Sequence, residues 1–347
     1  MPEQSFDIDF AGQYTISKHG TEHGLGEKFH DIRNMFLSIG ENYHQEHWNS
    51  AQLEAGLHDA WDFLIQISKA TPAISPEQDK LVVLILTIEA LQVFSHRSES
   101  KEGQTQNITL SHRDQSRENL PFLALDLQNE WITKSQQYTS CERKSFAAFT
   151  AKLYAAGMFE NELSIVVLWL LKMTLEEKIP LRHDTNQDDN ITQCGDGSTP
   201  KSTVADLLPA CFAWLANANF KLLTMAAENY NPCSSVSLTS KHEARTVTGS
   251  LAAEANVKSS GFSISRWVFW RFRLKELTFC ADEEVSQLAR ESFNEMIHTG
   301  VVLGIDVHGE KTYLSKVHEA VSSEFKKRGM TECVDASDVS INMDWAD

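Results

Sequence analysis

The chain contains little proline, glycine and cysteine, and it has no long apolar run. Its 347 residues include 8 prolines and 16 glycines, and this scarcity favours long helices over many short strands joined by tight turns. No two of its 6 cysteines are spaced as Cys-x-x-Cys, which argues against the common zinc and thioredoxin-like motifs. Apolar runs such as 165–171 are far shorter than the roughly 20 residues that cross a bilayer. These deficits point to a helical protein without a transmembrane segment.

The chain is also short of positive charge, with a formal net charge of −17 at pH 7. A surface this negative repels phosphate backbones and anionic lipid, so we expect neither nucleic acid nor membranes as partners. The first 30 residues are polar and carry no apolar segment typical of a signal peptide. We therefore expect a cytoplasmic protein, with the nucleus as the alternative, and reduced cysteines.

The spacing of apolar residues predicts a mainly α fold. Side chains recur every three or four residues over most of the chain, and 301–314 is the exception, where short β-rich runs around a His-Gly pair predict a small β-hairpin. The expected arrangement is one large domain over 27–328, an irregular helical bundle. Polar insertions are expected at 96–119 and 182–202, a flexible polar segment at 1–26, and a mobile acidic tail at 329–347.

Three stretches approach known ligand-binding patterns, and each departs from them at a critical position. The run from Asp184 begins like a calcium loop, but Asp189 replaces the required glycine and Gly195 replaces the bidentate glutamate. The run from Gly195 nearly spells a phosphate-binding loop, but Pro200 replaces the second glycine and has no N–H to offer a phosphate. Six histidines in the first 60 residues match no established zinc spacing. We therefore predict neither a metal nor a cofactor.

The most distinctive segment is 261–277, in which two tryptophans three residues apart are accompanied by four cations. One interpretation is a central packing helix whose arginines pair with acidic residues elsewhere. A second is a pocket for a carboxylate or phosphate ligand, because the planar guanidinium of arginine binds both anions in a bidentate manner. A third is an exposed basic amphipathic helix for a membrane surface or a calmodulin-like partner. The candidate ligand-binding residues of the second interpretation are Trp267, Trp270, Arg271 and Arg273.

The same segment resembles the signature of a fungal family of uncharacterised all-helical proteins, family three-six-three-two of the domains of unknown function. The resemblance rests on Gly261-Phe-Ser, Arg266-Trp267 and Phe269-Trp270-Arg271. Further similar stretches are Trp61-Asp-Phe-Leu, Asn119-Leu-Pro121 before Trp131, and Ser145-Phe146-Ala-Ala-Phe149. It covers roughly residues 55 to 300 and implies an all-helical fungal protein. It transfers no catalytic residue to this chain.

Two hypotheses for the function follow, from different classes. The first is a non-enzymatic helical interaction or regulatory protein, because patterns of buried helices are abundant and no nucleophile motif is present. The alternative is an accessory enzyme or small-molecule binder in fungal specialised metabolism, with an Arg/Trp-lined site on 267–273. A third, weaker hypothesis treats the late helices and hairpin as a winged helix in a subunit of a larger assembly.

Overall fold

The computed structural model describes residues 25–45, 48–91, 120–183, 202–233, 244–305, 307–334 and 338–346. Within these ranges the fold is mainly α, which confirms the predicted class, and the β pairing present is one isolated bridge between Val247 and Ser260. Packing groups the residues up to Thr133 into one compact unit and those from Lys134 into a second. The single domain over 27–328 stays a prediction.

The first unit is a small helical cluster. Its helices are α1 (Leu25–His44), α2 (Ser50–Ala70), α3 (Pro76–Ala90) and α4 (Leu123–Asn129). Helix α1 packs on α2 and α3, and its Phe36 ring lies 4.4 Å from that of the fully buried Trp61. The Trp61 indole donates to the Pro121 carbonyl at 2.8 Å, so the polar edge of this large side chain is satisfied inside the core.

Helix α3 begins as its sequence predicts. Ser75 is the N-cap, its hydroxyl accepts from the Glu77 amide, and Pro76 follows at the first helical position, where its missing N–H costs nothing. Gln78 is at the position of a capping box, but its side chain turns inward and donates to the Ser68 and Thr71 carbonyls at 2.9 and 2.7 Å. The side chain that pattern alone assigns to the cap therefore ties α3 to the end of α2.

The second unit surrounds one long apolar helix. Its elements are α5 (Ser140–Ala155), α6 (Glu160–Leu171), a π-helical turn (Lys172–Glu176), α7 (Val204–Ala227), α8 (Ser250–Glu254), α9 (Ile264–Leu277), α10 (Glu283–Leu303), α11 (Glu310–Lys327) and a 3₁₀ turn (Met343–Ala346). Helix α7 packs against α5, α6, α9 and α10. Its buried side chains lie around most of its circumference, as expected for a central helix.

Caps set the ends of the helices in this unit. Thr139 and Thr203 each form a capping box with the acid three residues on, Glu142 and Asp206. Gly157 has a φ of +89°, and the next amide, that of Met158, donates to the Leu153 carbonyl, so α5 ends in a left-handed glycine cap.

The predicted hairpin at 301–314 is wrong, because these residues form a helical corner. Helix α10 continues through Leu303 and ends at Gly304, whose φ is +68°, and the Ile305 amide bonds back to the Gly300 carbonyl. Gly309, with a φ of +84°, then begins α11. Val301 and Val302 lie in the last turn of α10, and the two glycines supply the left-handed turns that reverse the chain.

Two other segments differ from the sequence expectations. Helix α1 was not predicted, although Ile32, Phe36 and Ile39 line its buried side. Met343 and Ala346, in the segment expected to be a mobile tail, are buried. The expected segments at 1–26, 96–119 and 182–202 lie outside the described residues, except for 25, 26, 182, 183 and 202.

None of the helices in the described ranges is both long and apolar enough to cross a membrane.

Candidate functional site

Helix α9, which carries the tryptophan- and arginine-rich motif, begins at a backbone position that only glycine suits. Gly261 has a φ of +116°, and a Cβ there would lie 2.6 Å from the Tyr230 carbonyl oxygen. The neighbouring Phe262 amide donates to that carbonyl at 2.8 Å. Ser263 is the N-cap, and its hydroxyl accepts from the Arg266 amide. The Gly-Phe-Ser motif therefore sets where α9 starts and how closely it approaches the end of α7.

The chemical centre of the site is a fully buried ion pair between Arg266 and Glu176. The guanidinium Nε lies 2.6 Å from Glu176 Oε1, and Nη2 lies 3.1 Å from Oε2. The Nη1 group donates to the Thr246 and Gly261 carbonyls at 2.7 and 2.8 Å. Neither side chain of the pair has any solvent exposure. A bidentate pair of this kind is stable in a core only when the remaining donors are also bonded, as they are here.

Two further donors complete the environment of the Glu176 carboxylate. The Trp270 indole donates to Oε1 at 2.6 Å, and the Gly249 amide donates to Oε2 at 2.7 Å. Gly249 is needed for this approach, because a Cβ there would lie 2.8 Å from Glu176 Cβ. With Arg266 this gives the carboxylate four hydrogen bonds, which leaves it no site for an external ligand in the structure described.

The π-helical turn at Lys172–Glu176 places this carboxylate. One extra residue per turn shifts the register at the end of α6, so Glu176 points toward α9. The turn is held on its other side by Thr174, whose hydroxyl donates to the Leu170 carbonyl at 2.7 Å and accepts from the Cys211 thiol at 3.1 Å. The turn thus connects α9 to the central helix α7.

Arg271, a predicted ligand-binding residue, is buried and stabilises the α10–α11 corner through hydrogen bonds. Its Nη1 lies 3.2 Å from Glu310 Oε1, and its Nη2 donates to the His308 carbonyl at 3.0 Å. Glu310 in turn lies directly over Gly300, where an added Cβ would be 1.7 Å from Glu310 Oε2. The Arg271 side chain is 3% exposed, so it faces the interior of the unit.

Arg273, the other predicted guanidinium fork, lies at the edge of the unit. Its Nε donates to the Leu175 carbonyl at 3.3 Å, and its Nη1 pairs with Glu276 on the same helix. A quarter of its side chain is exposed. Two residues further on, Lys275 pairs with Asp344 at 2.5 Å. The structure thus brings an acidic group or a carbonyl to each cation of α9, as the packing-helix interpretation expects.

The two tryptophans differ in how their indole groups are satisfied. Both are fully buried, and their rings meet edge to face at 6.4 Å. The Trp270 indole donates to Glu176, whereas the Trp267 indole nitrogen has no hydrogen-bond partner among the described residues. A buried donor without an acceptor costs about 1–3 kcal/mol. Of the four predicted residues, Trp267 is the one with a fully buried polar atom that lacks a hydrogen-bond partner among the described residues.

Sequence reasoning missed the residue that organises the site, Glu176. The apolar spacing over 163–175 predicts only an ordinary helix before Glu176, and in the sequence Arg266 stands out only as part of the family motif. The one available signal was Glu176 itself, an acid next to the apolar Leu175 near the end of a buried helix. Acids in such positions are rare unless paired.

Two observations concern the reactivity of the described side chains: the burial of the Cys211 thiol and the arrangement of possible metal ligands. Burial raises the pKa of the Cys211 thiol to about 12, so it is protonated at neutral pH and a poor nucleophile. Within the described ranges no three histidine, cysteine, aspartate or glutamate side chains converge as a metal site.

A comparison with known protein families identifies the family of this chain. The model of a family described as "Protein of unknown function (DUF3632)" matches residues 61–274, more than half of the chain. The chain belongs to this family. The match includes the whole of the Trp267–Arg273 motif and the Glu176 turn, and it confirms the resemblance inferred from the sequence. Helices α10 and α11 lie beyond it.

The DUF3632 chain also has a fungal relative among curated proteins. It is similar to the Oxopyrrolidines biosynthesis cluster protein G of Penicillium oxalicum, with 26% identity over 252 residues, which is 71% of this chain and 67% of the relative. No solved structure matches the chain.

Proposed function

We propose that this DUF3632 chain is a non-enzymatic helical interaction or regulatory protein of fungal specialised metabolism. The biosynthesis-cluster name of its Penicillium relative supports the metabolic setting. The proposal places the protein in the cytoplasm, with a protein as its partner and neither nucleic acid nor membrane.

The observation that carries the proposal is the incompletely covered apolar face of α11. Leu314, Val317 and Val321 are each only half-buried, and Phe325 is 37% exposed. Their spacing of three, four and four residues places them on one side of the helix. Single exposed apolar residues are common on protein surfaces, but a continuous stripe is typical of a contact surface.

The end of α10 adds apolar surface in the same helical pair. Val301, Val302 and Leu303 are consecutive and 42%, 54% and 38% exposed. They precede the turn that leads into α11. The buried cluster of Arg266, Glu176 and Trp270 supports α9, on which α10 packs. In this proposal α9 supports the α10–α11 pair, and the α10–α11 pair carries the surface that contacts the partner.

Co-purification from the native host tests the proposal. We would compare the tagged wild-type chain with Phe325→Lys, which puts a charge on the stripe, and with Phe272→Lys, which changes a phenylalanine of α9 that is 45% exposed. The expected result is one stoichiometric protein partner with the wild type and Phe272→Lys that is absent with Phe325→Lys. A partner retained equally by both variants, or no partner at all, would contradict the proposal.

The second candidate function is small-molecule binding next to Trp267. The specific observation in its favour is the buried indole N–H without an acceptor among the described residues, because a ligand carbonyl or hydroxyl would satisfy it. The test is extraction of natively purified protein followed by mass spectrometry of the extract. A compound present with the wild type and absent with Trp267→Phe, which removes the N–H and keeps an aromatic ring, would favour this function.

A further inference from the structure

The 3₁₀ turn Met343–Ala346 is held by two helices of the second unit at once. It packs on α11. On α9, the Lys275 ammonium lies 2.5 Å from Asp344 Oδ1, and the Thr278 hydroxyl donates to the sulfur of Met343 at 3.5 Å. The turn therefore fills the space between the end of α9 and α11.

The turn also buries apolar side chains against these helices. Met343 is 5% exposed and Ala346 is fully buried. Beyond its first helical turn, the apolar side chains that α11 offers are those of Leu314, Val317, Ala320, Val321 and Phe325. The apolar part of the contact with α11 therefore falls on the stripe to which the proposed function assigns the partner. We call the surface formed by this stripe, Lys275 and Thr278 the turn site.

The polar contacts of the turn are of a kind that contributes little to stability. The Asp344 side chain is 70% exposed, and Asp338, five residues before Met343, pairs with Arg328 at 3.7 Å with both side chains partly exposed. Exposed ion pairs are weak, and a thioether sulfur is a weak acceptor. Burial of Met343 therefore supplies most of the attachment, and a partner that buries more apolar surface on the stripe can replace the turn.

The charge on α9 makes the turn site selective. The Lys275 side chain is 12% exposed, so the turn presents a carboxylate to an ammonium group that is largely covered. Opposite charges at such a contact attract, and reversal of either charge turns the attraction into repulsion. A single substitution on α9 or in the turn should therefore release the turn from its site.

We propose that the Met343–Ala346 turn is a displaceable cover of the partner surface on α11. The inference rests on the proposed function and adds its regulation. The partner and the turn compete for the same apolar stripe, so the partner binds the fraction of molecules from which the turn has left. The apparent affinity of a surface is reduced by the fraction in which it is available, so release of the turn raises the affinity for the partner.

The first experiment measures whether the turn site accepts the same segment from outside. A fluorescein-labelled peptide of residues 338–346 is titrated with the full chain and followed by fluorescence anisotropy. Met343→Lys puts a charge at a buried position and releases the chain's own turn, whereas Met330→Lys makes the same change at a methionine that is 63% exposed. We expect the peptide to bind Met343→Lys at least about tenfold more tightly than the wild type or Met330→Lys, in which the chain's own turn occupies the site.

A charge swap between the chain and the peptide locates the binding. Met343→Lys should prefer the wild-type peptide to one that carries Asp344→Lys. The full chain with Lys275→Glu repels its own Asp344 and should show the reverse preference. The full chain with Asp344→Lys changes an exposed side chain only, so it releases the turn without altering the core and replaces Met343→Lys if that variant does not fold. Circular dichroism checks the helical content of every variant.

Co-purification then connects the turn to the partner. Chains tagged at the N-terminus, so that the turn is left unchanged, are recovered from the native host as wild type, Met330→Lys and Met343→Lys. We expect Met343→Lys to retain more of the partner than the other two. Equal recovery with all three would overturn the regulation and leave the proposed function standing, whereas no partner with any of them would contradict the proposed function itself.

Three peptide and assembly results would also overturn the inference. Equal peptide affinities of the wild type and Met343→Lys would mean that the turn does not compete for the site. The same peptide preference in Met343→Lys and Lys275→Glu would place the binding away from α9. A concentration-dependent dimer of the wild type that Met343→Lys abolishes would mean that the turn serves a second copy of this chain.

Discussion

Replacement of Glu176 by glutamine is the perturbation from which the structure predicts the largest effect. The change leaves the Arg266 guanidinium in a site with no solvent exposure and without a counter-charge. Removal of one partner of a buried ion pair typically costs about 3–5 kcal/mol. The glutamine amide also has only one oxygen, so at least one of the donors from Arg266, Trp270 and Gly249 faces an NH₂ group instead of an acceptor. We therefore expect a loss toward the upper end of this range, against a total stability of about 5–15 kcal/mol for a typical domain.

Urea unfolding followed by far-ultraviolet circular dichroism measures this loss. The matched control is Glu254→Gln, which breaks the Lys178–Glu254 pair, 2.6 Å long and about 60% exposed on both sides. Exposed pairs of this kind contribute little, so the control should unfold close to the wild-type midpoint. If the free energy of unfolding of Glu176→Gln also lies within about 1 kcal/mol of the wild-type value, the reasoning is refuted. A buried guanidinium without a counter-charge should destabilise the protein by more than that.

A double-mutant cycle separates the pair from its surroundings. Arg266→Met alone should also destabilise the protein, because it leaves the buried Glu176 carboxylate without its cation. The combination of Arg266→Met with Glu176→Met should cost less than the sum of the two single changes, because neither charge then remains in the core. Strictly additive losses would indicate that the two groups act independently.

The remaining predictions concern the thiols and the helical corner. Cys141 and Cys333 are exposed and Cys211 is buried. Ellman's reagent should therefore modify Cys141 and Cys333 rapidly at pH 8 and modify Cys211 only on unfolding. Rapid modification of Cys211 in the folded protein would contradict its burial. Because the folded pKa of Cys211 is raised to about 12 from the usual 9, the unfolded chain loses this proton first, and Cys211→Ser should reduce the decline in stability between pH 9 and pH 12. Gly300→Ala should displace Glu310, because the added Cβ would lie 1.7 Å from its carboxylate. We expect the free energy of unfolding to fall by about 1–3 kcal/mol and hydrogen exchange in 310–327 to become faster. Unchanged exchange there would contradict the packing of this corner.

Local sequence patterns predicted the parts of the fold that depend on nearest neighbours. Ser75 followed by Pro76 is the pattern of a helix start and lies where α3 begins, and a glycine such as Gly157 is typical of a helix end and lies where α5 stops. The bounds of α9 follow from Ser263 as its cap and from the apolar spacing of Trp267 and Trp270. Each of these signals lies within a few residues of its effect, because capping bonds and helix periodicity are local.

The parts that could not be predicted depend on distant partners or on small changes of register. The π-helical turn that directs Glu176 toward Arg266 leaves no distinct pattern, and the two residues lie 90 positions apart. The corner at 301–309 was wrongly predicted because its valines favour strands, whereas the stripe of Phe293, Met296 and Ile297 continues the helix. The partner of Arg271, a ligand or Glu310, depends on which groups lie next to it in the folded chain. The sequence does not give that proximity.

We propose that this DUF3632 protein binds a protein partner on α11. Native mass spectrometry of the chain purified from its own host under non-denaturing conditions tests it most directly, with the wild type and Phe325→Lys measured side by side. The account predicts the mass of a protein complex for the wild type and the mass of the chain alone for the variant. A small-molecule adduct carried equally by both, with no protein partner in either, would contradict it.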